Sequence, residues 1–327
     1  MRVSVIVGVA AVSLAASGAV AQDGQPLKTL SECVAIAVQE HPSLKAADAS
    51  VQAGQRRVWE AASNYLPQVN ANYNVDRRFT SPASRTGSST TGILNKATTF
   101  NFYNTGVSFS QVLFDFGQTL AAIRSAQAAE QSLQADRSTQ RDTVVLNVKQ
   151  AYFNVLAARR LLGVADETVR QNQKHLEQAQ ARYTVGLAAK FDVTQAQVQL
   201  ANAELNQVTA RNNVAVARET LRNALGLTGP LDFDIVDNFD VHAVQISEEE
   251  ALAAAYDKRP ELQSIRAQEL SASEQITSLQ RSYLPNLSGA GSYTWVGSDY
   301  PLQDNWDVGA AVKLSILSGG LTSAQIG

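Results

Sequence analysis

Tyr183–Val193 reads YTVGLAAKFDV, a short apolar interruption between two runs of alanine, glutamine and leucine that hold almost no glycine or proline. Upstream of it, positions 148, 151, 155, 158, 162, 165, 169, 172, 176, 179 and 183 read Val, Ala, Val, Ala, Leu, Ala, Val, Asn, Leu, Ala and Tyr. That unbroken 3-4 spacing places all of them on one stripe of a helix. Downstream, positions 193, 196, 200, 203, 207, 210, 214, 217, 221 and 224 read Val, Ala, Leu, Ala, Gln, Ala, Val, Ala, Leu and Ala. Two such seams joined by a short turn predict an antiparallel coiled-coil hairpin over residues 117–226. Its first helix, from Gly117 to Tyr183, would be roughly 100 Å long at 1.5 Å per residue, more than a compact domain needs. Gly186 supplies the left-handed residue that ends a helix, and Asp192 with Gln195 reads as the capping start of the return helix. A plain chain reversal leaves Val185 and Leu187 unexplained, because apolar groups at an exposed tip mark a docking surface.

A second periodicity, of two, appears in four places. Val69, Ala71, Tyr73 and Val75 alternate with Asn70, Asn72 and Asn74; Tyr103, Thr105, Val107 and Phe109 alternate with Asn104, Gly106, Ser108 and Ser110. Leu287, Gly289, Gly291, Tyr293 and Trp295 repeat the pattern, as do Trp306, Val308, Ala310, Val312 and Leu314. Four strands at about 67–78, 100–114, 286–297 and 305–317, apolar on one face and polar on the other, have the pattern of transmembrane β-strands. A half-buried soluble sheet alternates in the same way. Four strands cannot close a barrel, and open edges in hydrocarbon leave amides unpaired, so closure has to come from other copies of the chain. Two copies supply eight strands and a filled barrel; three supply twelve and a lumen.

The chain also repeats itself. VAIAVQEHPSL near Val34 answers LAAAYDKRPEL near Leu252, and SNYLPQV at Ser63 answers RSYLPNL at Arg281, both at an offset of 218 residues. Thr29 and Glu32 form a capping-box pattern that Ser247 and Glu250 repeat. GVSFSQVLFDFGQT from Gly106 answers GAAVKLSILSGGLT from Gly309 at an offset of 203, which leaves about 15 extra residues in the Ser/Thr/Gly-rich loop around TSPASRTGSSTTG. The predicted organisation is a signal peptide at 1–21, a first repeat at 22–226 (a helix, two strands and the long hairpin), a linker at 227–246, and the start of a second repeat at 247–327. That second copy holds a helix at 247–282 and two strands, and reads as truncated before its own hairpin.

The first residues carry one Arg, an apolar run from Val3 to about Ala16 and the Ala19/Ala21 pattern of a cleavage site, which predicts export. Charged side chains are 17% of the chain and the net charge is -3, with no basic patch for nucleic acid. Cys33 stands alone, and none of the three histidines has metal-ligand spacing with another His or Cys. No nucleophile elbow or phosphate loop is present, so neither an enzyme nor a cofactor is expected.

Taken together, NYLPQV, LFDFGQ, RYTVGLAAKFDVTQAQ, LRNALGL, RPEL and SYLPNL, in that order, resemble the TolC-like outer membrane efflux proteins. The resemblance implies a mainly α fold with a four-stranded antiparallel β contribution, assembled as a homotrimer into a β-barrel continued by an α-helical barrel. It implies residence in the outer membrane of a Gram-negative bacterium, in contact with lipid and spanning into the periplasm. The function it implies is an exit duct for tripartite efflux or type I secretion, partnered by a periplasmic adaptor and an inner-membrane transporter. By the same resemblance Val185, Gly186, Leu187 and Ala188 meet the adaptor, and Asp192 caps the tip or helps to gate it. Phe191 departs from the small polar residue often found there, which weighs for capping. The rival readings are a periplasmic adaptor-like coiled-coil protein and a non-functional fragment of a channel.

Overall fold

The computed structural model describes residues 26–80, 98–237, 246–317 and 319–327. The predicted signal peptide, the Ser/Thr/Gly-rich loop and residues 238–245 of the predicted linker lie outside the described residues. In chain order the elements are β1 (Leu27–Lys28), α1 (Leu30–Glu40), α2 (Pro42–Ser63), β2 (Gln68–Thr80), β3 (Thr98–Phe114), α3 (Gln118–Thr184), α4 (Lys190–Ala224), β4 (Asp234–Ile235), α5 (Glu248–Lys258), α6 (Pro260–Arg281), β5 (Asn286–Gly297), β6 (Gln303–Lys313) and α7 (Leu321–Ile326). Contacts divide them into two units, one formed by the chain up to Ala46 with Ser138–Glu248, the other by Ala47–Arg137 with Glu249–Gly327.

The internal repeat is carried into the structure. α1 and α2 recur as α5 and α6 at the same 218-residue offset. The single helix predicted at the start of each repeat, 247–282 in the second, is in fact two, broken before Pro42 and before Pro260. The residue ahead of each proline is extended, His41 at φ -60°, ψ 124° and Arg259 at φ -72°, ψ 115°. Clash with the proline ring drives that residue out of the helical region, so the break is written in the sequence. The capping box at α1 forms as expected: the Glu32 amide donates to Thr29 Oγ1 at 3.4 Å and the Thr29 amide to Glu32 Oε2 at 2.7 Å.

The first unit packs α1, the later part of α3 and the end of α4 around Cys33, Ala37, Val148, Tyr152, Leu156, Leu221 and Leu225. A two-residue parallel pairing of β1 with β4, not anticipated from the sequence, closes this core. Tyr152 donates its hydroxyl to the Val236 carbonyl at 2.6 Å, and Arg159 pairs with Asp234. Away from this core the hairpin seam is as predicted except at its end, where Tyr183 is exposed: along α3, Leu162, Ala165, Val169, Asn172, Leu176 and Ala179 are less exposed than their neighbours. On α4, Val193, Ala196, Leu200, Ala203, Gln207 and Ala210 are the matching set, and Gln207 donates to Asp166 at 2.8 Å.

In the second unit the four long strands form one antiparallel sheet in the order β2-β3-β5-β6. β2 and β3 are a little longer than predicted. β6 ends at Lys313, short of the predicted 317, because Lys313 pairs with Asn286, the first residue of β5, and nothing in β5 remains for Leu314 to pair with. Helix packing here relies on small side chains. Ala121, Ala128 and Ala135 are buried along α3, Ser132 and Ser264 share a hydroxyl hydrogen bond of 3.0 Å, and Ser125 and Ser271 exchange bonds to each other's carbonyls at 2.8 and 2.9 Å. Each buried hydroxyl thus has a partner, which is the condition for close approach of polar helix faces.

The turn from sheet to helix is fixed by the LFDFGQ stretch. Phe116 and Gly117 both take positive φ, 52° and 81°. Asp115, 3% exposed, accepts the amides of Gly117 and Thr119 at 3.0 and 2.8 Å and the Tyr65 hydroxyl at 3.0 Å. Arg281 donates to the Gly117 carbonyl at 2.8 Å. Burial alone would raise the Asp115 carboxyl, but the hydrogen bonds from Thr119, Tyr65 and Gly117 outweigh it and hold it below the ordinary carboxylate range.

Candidate functional site

Two surfaces qualify as sites, the hairpin tip and the apolar face of the sheet. At the tip α3 closes on a left-handed cap: the Leu187 amide reaches back to the Arg182 carbonyl at 2.8 Å and the Gly186 amide to Tyr183 at 3.0 Å. Gly186 sits at φ 77°, where an L side chain is strained, although a Cβ there would meet no atom within 4 Å. The requirement for glycine is therefore conformational and not one of space. Val185 and Leu187 are 68% and 80% exposed, while Ala188 is half-buried. Phe191, which the sequence reading did not count as a docking residue, is 72% exposed in the first turn of α4 and adds to the same apolar tip.

The expected role of Asp192 as N-cap is corrected. α4 begins at Lys190 with Ala189 as its cap, so Asp192 is the third helical residue. Alanine has no oxygen to offer the first turn, and the stabilisation runs the other way: the Ala189 amide donates to Asp192 Oδ2 at 3.3 Å. The carboxylate in the first turn also faces the positive end of the helix dipole.

The register of the sheet sorts its residues without exception at the centre. Ala71, Val107, Tyr293 and Trp306 form one row across the four strands, and Val69, Phe109, Gly291 and Val308 form the next. The opposite face carries the rows Asn70, Ser108, Ser292, Asp307 and Asn72, Gly106, Thr294, Asn305. Because antiparallel partners point to the same side, a one-residue slip in any strand would have mixed the two classes. The apolar side is exposed rather than covered: Tyr73, Trp306, Val308 and Val312 are 62%, 72%, 71% and 71% exposed. Toward the loop end it becomes aromatic, with Tyr103 against Tyr300 at 5.2 Å and Tyr293 against Trp295 at 4.8 Å between ring centroids. Twelve residues in β5 suffice for the nine to eleven or so that a tilted strand needs to cross hydrocarbon. β2 and β6 each keep one edge without a strand partner among the described residues.

A long helical hairpin combined with an open four-stranded sheet, apolar on its exposed face and with two edges lacking strand partners among the described residues, defines a class of mixed helix and sheet proteins. The sequence profile of the outer membrane efflux protein family matches residues 34–227. The chain belongs to that family. Over 307 residues it is 30% identical to outer membrane protein TolC of Escherichia coli strain K12, an alignment covering 88% of this chain and 59% of TolC. It is 24% identical to outer membrane efflux protein BepC of Brucella suis, covering 91% of this chain and 63% of BepC. The fold is that of the Campylobacter jejuni CmeC outer membrane channel, with a TM-score of 0.78 at 18% identity over 91% of this chain and 63% of that one. The VceC outer membrane protein of Vibrio cholerae superimposes with a TM-score of 0.72 at 19% identity, over 91% of this chain and 71% of that one. The chain thus spans about three fifths of the length of the relatives it matches in sequence.

Proposed function

We propose that the chain is a subunit of an outer membrane channel of a Gram-negative bacterium, a passive exit duct for tripartite efflux or type I secretion. The observation that carries this reading is the register that gathers apolar side chains on one exposed face of a sheet whose two edges are free. Lipid satisfies the face, and only further strands satisfy the edges. Three copies supply twelve strands and a lumen lined by the polar rows, mostly Asn, Ser and Thr with Asp307 among them. TolC and BepC, named as outer membrane proteins, agree with the setting.

The tip is the docking surface for a periplasmic adaptor, which in turn links the duct to an inner-membrane transporter. Val185 and Leu187 enter the adaptor hairpin, Gly186 holds the turn that presents them, and Ala188 keeps the approach close. Asp192 caps the tip from the third position of α4, where its carboxylate accepts the Ala189 amide. A periplasmic adaptor, the rival reading, has no use for a sheet with a lipid-type face. The channel is tested by recovering heat-modifiable trimers from the outer-membrane fraction and measuring conductance in planar bilayers; a water-soluble monomer refutes it. Docking is tested by changing Gly186 and Leu187 together to glutamate, which should abolish crosslinking to the adaptor while trimers still assemble. Undiminished crosslinking would remove the tip assignment.

A further inference from the structure

β2 and β3 go on pairing after β5 has ended. The last partner of β3 in β5 is Tyr103 with Gly297, whereas β2 and β3 continue as a two-stranded ribbon from Asp76 with Phe102 to Thr80 with Thr98. At about 3.4 Å per residue this ribbon stands roughly 17 Å beyond the four-stranded part. It lies at the end of the sheet opposite to the helices, past the aromatic belt of Tyr73, Tyr103, Trp295 and Tyr300.

Its two faces are chemically different. On the face continuous with the Asn rows, Arg78 is engaged twice, by Asp76 at 3.1 Å and by the Phe102 ring, whose centroid lies 4.0 Å from the guanidinium carbon. On the face continuous with the apolar rows, Arg77 is exposed and has no ion-pair partner among the described residues. Arg77 pairs in register with Asn101, and Phe79, 68% exposed, with Thr99. Arg77 is one row, about 7 Å, beyond Val75 and Tyr103. A guanidinium with forked donors, an exposed aromatic ring, an amide and a hydroxyl on one ribbon face make up a set that fits a phosphorylated sugar: charge-assisted bonds to phosphate, a ring face for the sugar, and small polar groups for its hydroxyls.

We infer that Arg77, Phe79, Thr99 and Asn101 form a binding surface for the phosphorylated sugar headgroup of an outer-leaflet glycolipid. The inference rests on the membrane reading above, which places this face against the headgroup layer. The surface anchors the ribbon at the lipid boundary and sets the depth of the barrel.

The test uses the full chain in phosphatidylcholine nanodiscs, alone or with bisphosphorylated lipid A or its dephosphorylated form, and reads lipid retained after detergent extraction by mass spectrometry. Bisphosphorylated lipid A should be retained in preference. Arg77→Gln should weaken retention about fivefold, the loss of one cation near an anionic surface, Arg77→Glu should weaken it further by reversing the charge, Phe79→Ala should weaken it as well, and Arg77→Lys should keep most of it. Arg78→Gln, on the other face, should change nothing. If Arg77→Glu does not insert, Arg77→Gln carries the same comparison. Equal retention by Arg77→Glu and the parent, equal retention of the dephosphorylated lipid, or displacement by millimolar inorganic phosphate would each overturn the glycolipid surface. A chain that inserts in every bilayer without lipid preference defeats this inference alone; a chain that inserts in none defeats the membrane reading with it.

Discussion

Replacing Asp115 by alanine should destabilise the second unit by about 3 to 5 kcal/mol. The carboxylate is buried and accepts from the Gly117 amide, the Thr119 amide and the Tyr65 hydroxyl. Loss of a capping acceptor alone costs about 1 to 2 kcal/mol, and each buried donor left without a partner adds about 1 to 3 kcal/mol, reduced where water can enter. Asp115→Asn keeps one acceptor oxygen but turns its other arm into a donor that faces donors, so its cost should be intermediate, about 2 kcal/mol. Tyr65→Phe removes one donor and leaves the two amide bonds intact, at about 1 kcal/mol. All three tryptophans, Trp59, Trp295 and Trp306, belong to this unit, so tryptophan emission during urea unfolding of the detergent-folded protein reports on it. The double variant Asp115→Ala, Tyr65→Phe should cost less than the sum of the singles, because the hydroxyl orphaned by the first change is deleted by the second. Strict additivity, or an Asp115→Ala cost below about 1 kcal/mol, would show that the carboxylate does not hold the junction.

Three further outcomes follow from local geometry. Gly106→Ala should prevent correct pairing of β3 with β5, since its Cβ would lie 2.6 Å from the Tyr293 carbonyl oxygen and 2.9 Å from the Thr294 Cα, while Gly309→Ala, with no atom within 4 Å, should be silent in the yield of folded sheet by circular dichroism. Gly186→Ala should loosen the hairpin tip by about 1 kcal/mol through its positive φ, measured as faster amide exchange at Leu187, with Gly186→Val clearly worse because a β-branched residue fits that backbone region least well, open space notwithstanding. Asp234 is raised by partial burial but lowered more by the Arg159 bond, the Ile235 amide and the charges of Arg159 and Arg218, so its folded value lies below the ordinary 3.8. A depressed carboxyl adds stability that is fully present above its unfolded value and is lost as pH falls through the folded one. The first unit should therefore weaken below about pH 4, and Arg159→Met should flatten that acid limb, followed by far-ultraviolet dichroism; an unchanged limb would mean the pair contributes nothing.

The sequence by itself determined the elements whose identity depends on period and local chemistry. The seam from Val148 to Ala224 was legible because nearly all of its positions face away from solvent toward a helix joined by one short turn, Tyr183 excepted, and the strands were legible because pleating makes alternation visible in a single chain. Gly186 and Thr29 declared themselves through backbone rules that act within a few residues. The breaks at Pro42 and Pro260 were equally local and equally readable, since a proline drives the residue before it out of the helical region.

What the tertiary structure decided was everything that needs a second segment to be in place. β1 and β4 are two residues each, too short for any pattern, and exist only because Tyr152 and Arg159 on α3 hold the chain around Asp234 and Val236. The end of β6 was set by where β5 begins, a fact about a partner and not about Leu314. The starting residue of α4 turned on Asp192 reaching back to Ala189, a choice that residue type alone leaves open among neighbouring positions. Which of two adjacent arginines has an ion pair and a ring contact, and which has neither among the described residues, was likewise invisible until the register put Phe102 beside Arg78. Local rules fix what a segment is; the free energy of pairing and burial, which couples residues far apart in the chain, fixes where it stops and what it faces.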